Sequence, residues 1–278
     1  MAFHSVSSLG ITRERDQSVR TQYPLDEGLP EYANAEEYDE ENPWGPSDAF
    51  YLNIAKSTLG PVLDVGCGTG MLVRAIAKAG IEITGLDVTP EMIERAKMLS
   101  EQEGLNIEWI VGDVRTMQLG RQFRLIIMTG HAFQHLLTDD DMHAFFDRAR
   151  EHLRDNGYLA FETRNYAAKT FGGSEEPTLW KSITDSQGRE VDLLLGSIYD
   201  PETGVERLIE ERLVHETGER TRDVSDLRYI DVEDLNEMLV EHGFKIIHQY
   251  GDWHRGPLGP DQPEVVSVCR VARRNGSN

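Results

Sequence analysis

Short apolar runs alternate with amphipathic stretches through the middle of the chain. The apolar runs are five to eight residues long and predict buried strands at residues 61–65, 81–88, 107–111, 123–128 and 158–162. Between them, apolar side chains recur every three to four residues, which predicts helices at residues 71–79, 90–102 and 140–153. Strands that alternate with helices favour a parallel sheet covered on both faces.

The pattern changes after about residue 165. From 178 to 229, β-type runs are separated by turn signals that contain Gly188, Gly204 and Gly218, which predicts three or four antiparallel strands. A helix at 232–242 and two further strands follow. The predicted fold is therefore a Rossmann-like, doubly wound α/β fold with a seven-stranded sheet and an inserted small antiparallel β-sheet.

This pattern divides the chain into four parts. Residues 43–166 and 230–272 form the predicted Rossmann-like domain, and residues 167–229 form the insert, which is interpreted as a substrate lid or a dimer platform. Residues 1–42 are polar and poorly periodic and carry an acidic cluster, so they predict an N-terminal lid or a partly disordered segment. Residues 273–278 are a tail.

The amino-acid composition limits which binding partners and which cellular compartment are expected. The chain has 49 acidic and 28 basic residues among 278, a net charge of −21, and no basic run of useful length, so no nucleic acid partner is expected. Two cysteines, Cys67 and Cys269, argue against a disulfide scaffold and against a cysteine-based metal site. Without a long apolar run or a charged-then-apolar leader, we expect no membrane segment and a cytoplasmic protein.

A glycine-rich turn follows the first strand. Gly66, Gly68 and Gly70 alternate between that strand and a helix. Glycines allow a tight turn and a close approach of a ligand to the backbone, and the helix N-terminus offers unpaired N–H groups. Asp87 ends the second strand, where an acid can accept the two hydroxyl groups of a ribose. A nucleotide-like cofactor is therefore expected at these strand ends.

Two kinds of cofactor compete for this turn. In the dinucleotide fingerprint the third glycine would fall at the position of Met71 instead of Gly70. Asp64 lies beside the turn, where it disfavours a pyrophosphate and favours the ammonium and sulfonium groups of S-adenosylmethionine. Cys67 is interpreted as a small side chain of the turn and not as a nucleophile.

These segments resemble those of a known family. Residues 63–70 look like motif I of the class I S-adenosylmethionine-dependent methyltransferases, 85–87 resemble their ribose-binding strand, and 112–114 resemble their adenine-binding turn. Residues 128–136 are similar to the segment after strand four in small-molecule methyltransferases. The likeness is strong over about residues 61–162. It is closest to bacterial enzymes with an accessory β-sheet, which act on amines, sugars and other metabolites.

The resemblance implies S-adenosylmethionine as cofactor and S-adenosylhomocysteine as product. It also implies that Asp113 takes the exocyclic amine of the adenine while the next backbone N–H meets the ring. The cofactor-binding residues it implies are Asp64, Gly66, Cys67, Gly68, Gly70, Asp87, Val88, Met92, Asp113, Val114 and Thr129.

Two histidines are the candidate catalytic residues. His131 and His135 follow the fourth strand at a spacing of four residues, which would let them share one face of a helical turn. Their near-neutral intrinsic pKa suits proton removal, which an acceptor needs only when it arrives protonated. The alternative is that His131 packs near the cofactor while His135 bonds to the backbone. The spacing alone does not make a metal site, and no metal is expected.

The residues that contact the methyl acceptor are predicted less directly than those that bind the cofactor. Arg164 ends the fifth strand, and Tyr32 belongs with other aromatic residues that could fold over the cofactor. The predicted substrate residues are Tyr23, Trp44, Tyr51, Arg164, Tyr229 and Trp253. Ordinary packing or an exposed ion pair is the alternative for each of them.

The expected function is methyl transfer to a nitrogen or oxygen atom of a small-molecule metabolite or natural product. A methyltransferase that acts on a protein or peptide side chain, and a cofactor-binding homologue without catalysis, remain alternatives. An NAD-dependent oxidoreductase is disfavoured by Met71 and Asp64. The edge of the insert could also pair two chains in a homodimer.

Overall fold

The larger of two β-sheets confirms the predicted fold class. The computed structural model describes residues 29, 32–58 and 60–272, so the predicted tail and most of the N-terminal segment lie outside it. The strands of the larger sheet are β1 (Val62–Val65), β2 (Ile83–Asp87), β3 (Glu108–Val111), β4 (Phe123–Met128), β5 (Leu153–Arg164), β10 (Phe244–Tyr250) and β11 (Glu264–Val271). Their order is β10-β11-β5-β4-β1-β2-β3. The five strands from β5 to β3 are parallel, and β11 and β10 add to them in antiparallel fashion.

The insert forms the second sheet, which has four antiparallel strands in sequential order. These are β6 (Thr178–Thr184), β7 (Glu190–Asp200), β8 (Val205–Val214) and β9 (Arg220–Arg228). The limits proposed for the separate domains remain predictions.

Six α-helices accompany these strands in the described part of the chain. They are α1 (Ala35–Glu41), α2 (Pro46–Thr58), α3 (Met71–Lys78), α4 (Pro90–Gln102), α5 (Asp139–His152) and α6 (Val232–Glu241). None of the helices in the described ranges is long and apolar enough to cross a membrane.

Helix α1 lies in the acidic segment and was not predicted. Asn34 caps it by accepting the Glu37 backbone N–H at 3.3 Å. Its seven residues are too few to be stable as an isolated helix in water. Ion pairs with Arg95 and Arg212, which lie far away in the sequence, stabilise it.

The core occupies both faces of the larger sheet. On one face, Phe133, Phe145, Phe146 and Phe161 pack together beneath α5 and α6. On the other face, the buried side of α2 and α3 includes Ile76. Burial on both faces explains why the central strands β1, β2 and β4 are mostly apolar. Because β1 pairs in parallel with both β2 and β4, the carboxyl ends of these three strands lie at a single edge of the sheet.

Candidate active site

A cavity opens at the carboxyl ends of β1 to β4. It encloses about 890 Å³ of empty volume, part of which is open to solvent. The predicted site residues that line it are Gly66, Gly68, Asp87, Val88, Met92, Asp113, Val114, Thr129 and His135. The lining also includes residues outside the predicted sets of cofactor-binding, catalytic and substrate residues, which are Leu29, Tyr32, Tyr38, Gly112, Arg115, Met128, Gly130, Ala132 and Leu136.

The three glycines of the turn have different surroundings. All three have positive φ angles of 69°, 53° and 74°, a conformation that L side chains rarely adopt. A Cβ on Gly66 would lie 2.8 Å from the Cβ of Ala132, and one on Gly68 would lie 3.6 Å from the Tyr38 ring. Gly70 is covered by Trp109, whose ring would be 2.2 Å from an added Cβ. Gly70 is therefore required by backbone conformation and by packing under the turn.

Asp87 ties the glycine turn to the end of β2. Its Oδ2 accepts the Gly68 backbone N–H at 2.8 Å, and its Oδ1 accepts the Thr89 backbone N–H at 2.9 Å. Burial raises the pKa of Asp87, and these hydrogen bonds oppose that effect. The carboxylate thus stays fixed at the cavity wall, where it can accept further hydroxyl donors.

Asp64 lies buried beside the same turn. Its Oδ1 has no hydrogen-bond partner among the described residues. Burial, with the negative charges of Asp87, Glu162 and Asp48, raises the pKa of Asp64 well above its usual value. A buried, unpartnered carboxylate oxygen favours a cationic donor, and this fits the ammonium and sulfonium groups of the predicted cofactor.

Asp113 has a partner that the sequence analysis did not identify. The Arg115 guanidinium donates to both carboxylate oxygens of Asp113 at 2.6–3.1 Å and to Asp141 at 2.7 Å. These bonds raise the pKa of Arg115. Arg115 therefore orients the predicted adenine-binding acid. In the sequence, the arginine two residues after Asp113 was the signal from which this ion pair could have been predicted.

The two candidate histidines point in different directions. Residues Ala132–His135 form a short 3₁₀ helix, and His131 precedes it in the left-handed conformation with φ 60°. The His131 ring Nε2 lies 2.9 Å from Glu264 Oε2, while the His135 ring Nε2 lies 2.9 Å from the Tyr32 hydroxyl. His135 lines the cavity and His131 does not, within the described residues. The shared helical face expected from their spacing does not form, because the turn is tighter than an α-helix.

The environment of His135 keeps its imidazole neutral. Burial lowers the pKa of His135 to about 4, with a further lowering by Arg164 that Asp226 partly opposes. Its Nδ1 has no hydrogen-bond partner among the described residues. The side chain therefore presents a neutral ring, with one nitrogen uncommitted, at the cavity.

Two tyrosines of the N-terminal segment cover the cavity. The rings of Tyr32 and Tyr38 meet edge to face at 5.8 Å. Burial and the charge of Asp87 raise the pKa of Tyr38 to about 12, so its hydroxyl keeps its proton. Tyr38 was not predicted as a site residue, because its position depends on α1.

The predicted substrate residues lie away from the cavity lining. Tyr51 is buried and donates its hydroxyl hydrogen bond to Glu162, and Trp253 packs on the Tyr51 ring at 6.0 Å. Arg164 donates to Gln134 Oε1 at 2.8 Å. Trp44 is 44% exposed.

Tyr229 is also paired within the protein. It follows β9 directly and donates its hydroxyl hydrogen to Glu206 of β8 at 3.0 Å. Tyr23 lies outside the described residues. A substrate role for all six residues stays a prediction. Among the described residues, no group of three or more His, Cys, Asp or Glu side chains could hold a metal ion.

Comparisons with known proteins agree with this geometry. Residues 62–157 match the family model described as a methyltransferase domain. A ubiquinone biosynthesis O-methyltransferase of Coxiella burnetii is 33% identical over 110 residues, which are 40% of this chain and 46% of that protein. The corresponding enzyme of Azorhizobium caulinodans is 26% identical over 165 residues, 51% of this chain and 64% of that protein. The matched regions thus span less than two thirds of these relatives.

Several solved structures share the fold. The CcbJ methyltransferase from Streptomyces caelestis has a TM-score of 0.78 at 19% identity and covers 88% of this chain and 99% of its own. The sugar N-methyltransferase KedS8 from Streptoalloteichus sp. has a TM-score of 0.69 at 18% identity, with 99% of both chains covered. CalS10 from Micromonospora echinaspora, an amino pentose methyltransferase bound to S-adenosylmethionine, has a TM-score of 0.68 at 21% identity, with 86% and 95% covered.

Proposed function

We propose that this chain is a class I S-adenosylmethionine-dependent methyltransferase that methylates a nitrogen or oxygen atom of a small molecule, because residues 62–157 match the model of a methyltransferase domain. The observation that carries the proposal is the cavity at the strand ends, which Asp87 and Asp113 line. The buried Asp64, whose Oδ1 has no hydrogen-bond partner among the described residues, lies beside the glycine turn. Sugar and amino-pentose methyltransferases of the same fold support a small-molecule acceptor.

The residues of the cavity suit the three parts of the cofactor. Asp87 would accept the ribose hydroxyls, the Asp113 carboxylate and the Val114 backbone N–H would bind the adenine, and Asp64 would face the ammonium group. When bound, S-adenosylmethionine supplies a methyl group that its sulfonium activates for in-line displacement. The chain would then align the acceptor with the methyl group and exclude water from the cavity. Tyr32 and Tyr38 would exclude water because they cover the cavity.

His135 is assigned to the acceptor side of the cavity. With a pKa of about 4, its ring stays neutral near pH 7, so it can hydrogen-bond an acceptor but holds an extra proton only weakly. An amine that arrives with a free lone pair needs no stronger base. We therefore propose that His135 orients the acceptor, while the proton released from the methylated group passes to solvent.

The cofactor class is tested by calorimetry with two ligands. S-adenosylhomocysteine is expected to bind and NAD is not, because the carboxylates beside the glycine turn disfavour a pyrophosphate. Binding of NAD alone would contradict the proposal. Transfer of a labelled methyl group is then measured on a panel of amino sugars, phenols and a basic peptide. Labelling of the peptide alone would favour the protein-methylating alternative.

Replacing His135 by alanine is expected to lower turnover by about fivefold or more and to change the dissociation constant of S-adenosylhomocysteine much less. The physical reason is that, in this proposal, the ring orients the acceptor while Asp87 and Asp113 bind the cofactor. Steady-state kinetics and calorimetry measure the two quantities. In the wild type, no step in the pH–rate profile is expected from this group near pH 6.5.

The matched control for this prediction is His254→Ala, because His254 is exposed and lies outside the described cavity lining. Its turnover should equal that of the wild type. Unchanged turnover in the His135 variant would assign that residue a purely structural role.

A further inference from the structure

Helix α1 bridges the two sheets across the mouth of the cavity. Its five carboxylates are Glu36, Glu37, Asp39, Glu40 and Glu41. Toward the larger sheet, Arg95 of α4 lies 2.9 Å from Glu36 and 3.0 Å from Asp39. Toward the insert, the contacts converge on one side chain, Arg212 of β8.

Arg212 is almost completely surrounded by carboxylates. Its side chain is 8% exposed, and its guanidinium lies 2.6 Å from Glu41 and 3.6 Å from both Glu37 and Glu40. Asp185, in the turn between β6 and β7, lies 3.9 Å from the same guanidinium. The Ser186 backbone N–H adds a hydrogen bond to Glu40 at 3.2 Å. The buried Arg212 of the insert therefore neutralises part of the negative charge of α1.

The position of α1 decides whether the cavity is covered. Tyr38 lies on the helix and packs over Gly68, and Tyr32 lies just before it and bonds His135. The helix has no basic residue in its last turn and carries like charges along its length, so it needs external cations to hold its place. Arg212 is the more buried of its two cations, and removing a buried partner costs more than removing an exposed one.

We propose that Arg212 is a positioning residue that latches α1 over the cavity, so that the insert controls how fast the cofactor enters and leaves. The inference rests on the proposed function only for the identity of the ligand. The latch itself is a set of contacts between α1 and the insert, and it can be examined without any ligand.

The test compares Arg212→Gln with the wild type in two measurements. Dissociation of tritiated S-adenosylhomocysteine in a chase experiment is expected to be about fivefold faster or more in the variant. Hydrogen–deuterium exchange of residues 35–41 in the ligand-free protein is expected to rise, because the helix opens more often.

Three further variants make the result specific. Arg212→Lys should restore part of the slow dissociation, because lysine keeps the charge but not the fork of donors. Glu41→Gln removes one partner and leaves the arginine, so it replaces Arg212→Gln if that variant does not fold. Arg222→Gln is the matched control, since Arg222 is a 52%-exposed arginine of the insert paired with Glu211, and it should leave both measurements unchanged.

The possible outcomes separate the two proposals. Wild-type dissociation and exchange rates in a folded Arg212→Gln variant would overturn the latch. If S-adenosylhomocysteine does not bind the wild type but exchange in α1 rises in the variant, the proposed function fails while the latch stands. Faster exchange in Arg222→Gln as well would assign the effect to general loosening of the insert and would also overturn the latch.

Discussion

Replacement of Asp87 by alanine is expected to raise the dissociation constant of S-adenosylhomocysteine by more than about tenfold. The carboxylate lies at the cavity wall, where it can accept both ribose hydroxyls, and charge-assisted hydrogen bonds are among the stronger polar contacts. It also holds the Gly68 and Thr89 backbone N–H groups, so its loss loosens the glycine turn. Calorimetry measures the affinity, and thermal unfolding reports the cost to the fold.

Two companion variants separate these effects. Asp87→Asn keeps the size and one acceptor oxygen but removes the charge, so it should retain more stability than the alanine variant and still bind weakly. Glu94→Ala removes an exposed acid from the neighbouring helix α4 and should bind as the wild type does. Unchanged affinity in the alanine variant would remove Asp87 from the cofactor site.

Replacement of Gly70 by alanine is expected to lower the free energy of unfolding by about 3 kcal/mol. One part of the loss comes from a side chain placed at φ 74°, and the other from the Cβ that would meet the Trp109 ring. Chemical denaturation measures the change. Gly70 lies outside the described cavity lining. We therefore expect the free energy of unfolding to change more than the free energy of S-adenosylhomocysteine binding.

Gly104 provides the control for this prediction. It has nearly the same conformation, with φ 69°, but an added Cβ would meet no atom within 4 Å. Gly104→Ala should therefore cost only the conformational part, about 1 kcal/mol. Equal losses in the two variants would show that contact with Trp109 does not matter. A smaller loss on adding Trp109→Phe to Gly70→Ala would support the contact directly.

The sequence analysis succeeded where local pattern and burial agree. The parallel strands are apolar because both faces of the sheet are covered, so their positions could be predicted to within a few residues. The turn around Gly66 and Gly68 is also a local feature, as is the acid at the end of β2. The methyltransferase-domain model that matches residues 62–157 agrees with the family resemblance and with the cofactor inferred from this region.

Features that depend on distant contacts could not be predicted in this way. Helix α1 owes its order to Arg95 and Arg212, which a local reading of an acidic segment does not reveal. The spacing of His131 and His135 predicted a shared face, but the left-handed backbone at His131 sends the two rings apart. Tyr51 is a predicted substrate residue, yet it lies on the core face of α2.

The end of β5 has a consequence for changing the range of acceptors. Glu162 accepts hydrogen bonds from the Tyr51 hydroxyl and from the His131 backbone N–H, the latter at 2.9 Å. The turn that carries His135 is thereby anchored to α2 before any substrate arrives, so His135 is preorganised. Directed evolution of the acceptor range should therefore leave Glu162 untouched, because its loss would free the turn that aligns that imidazole.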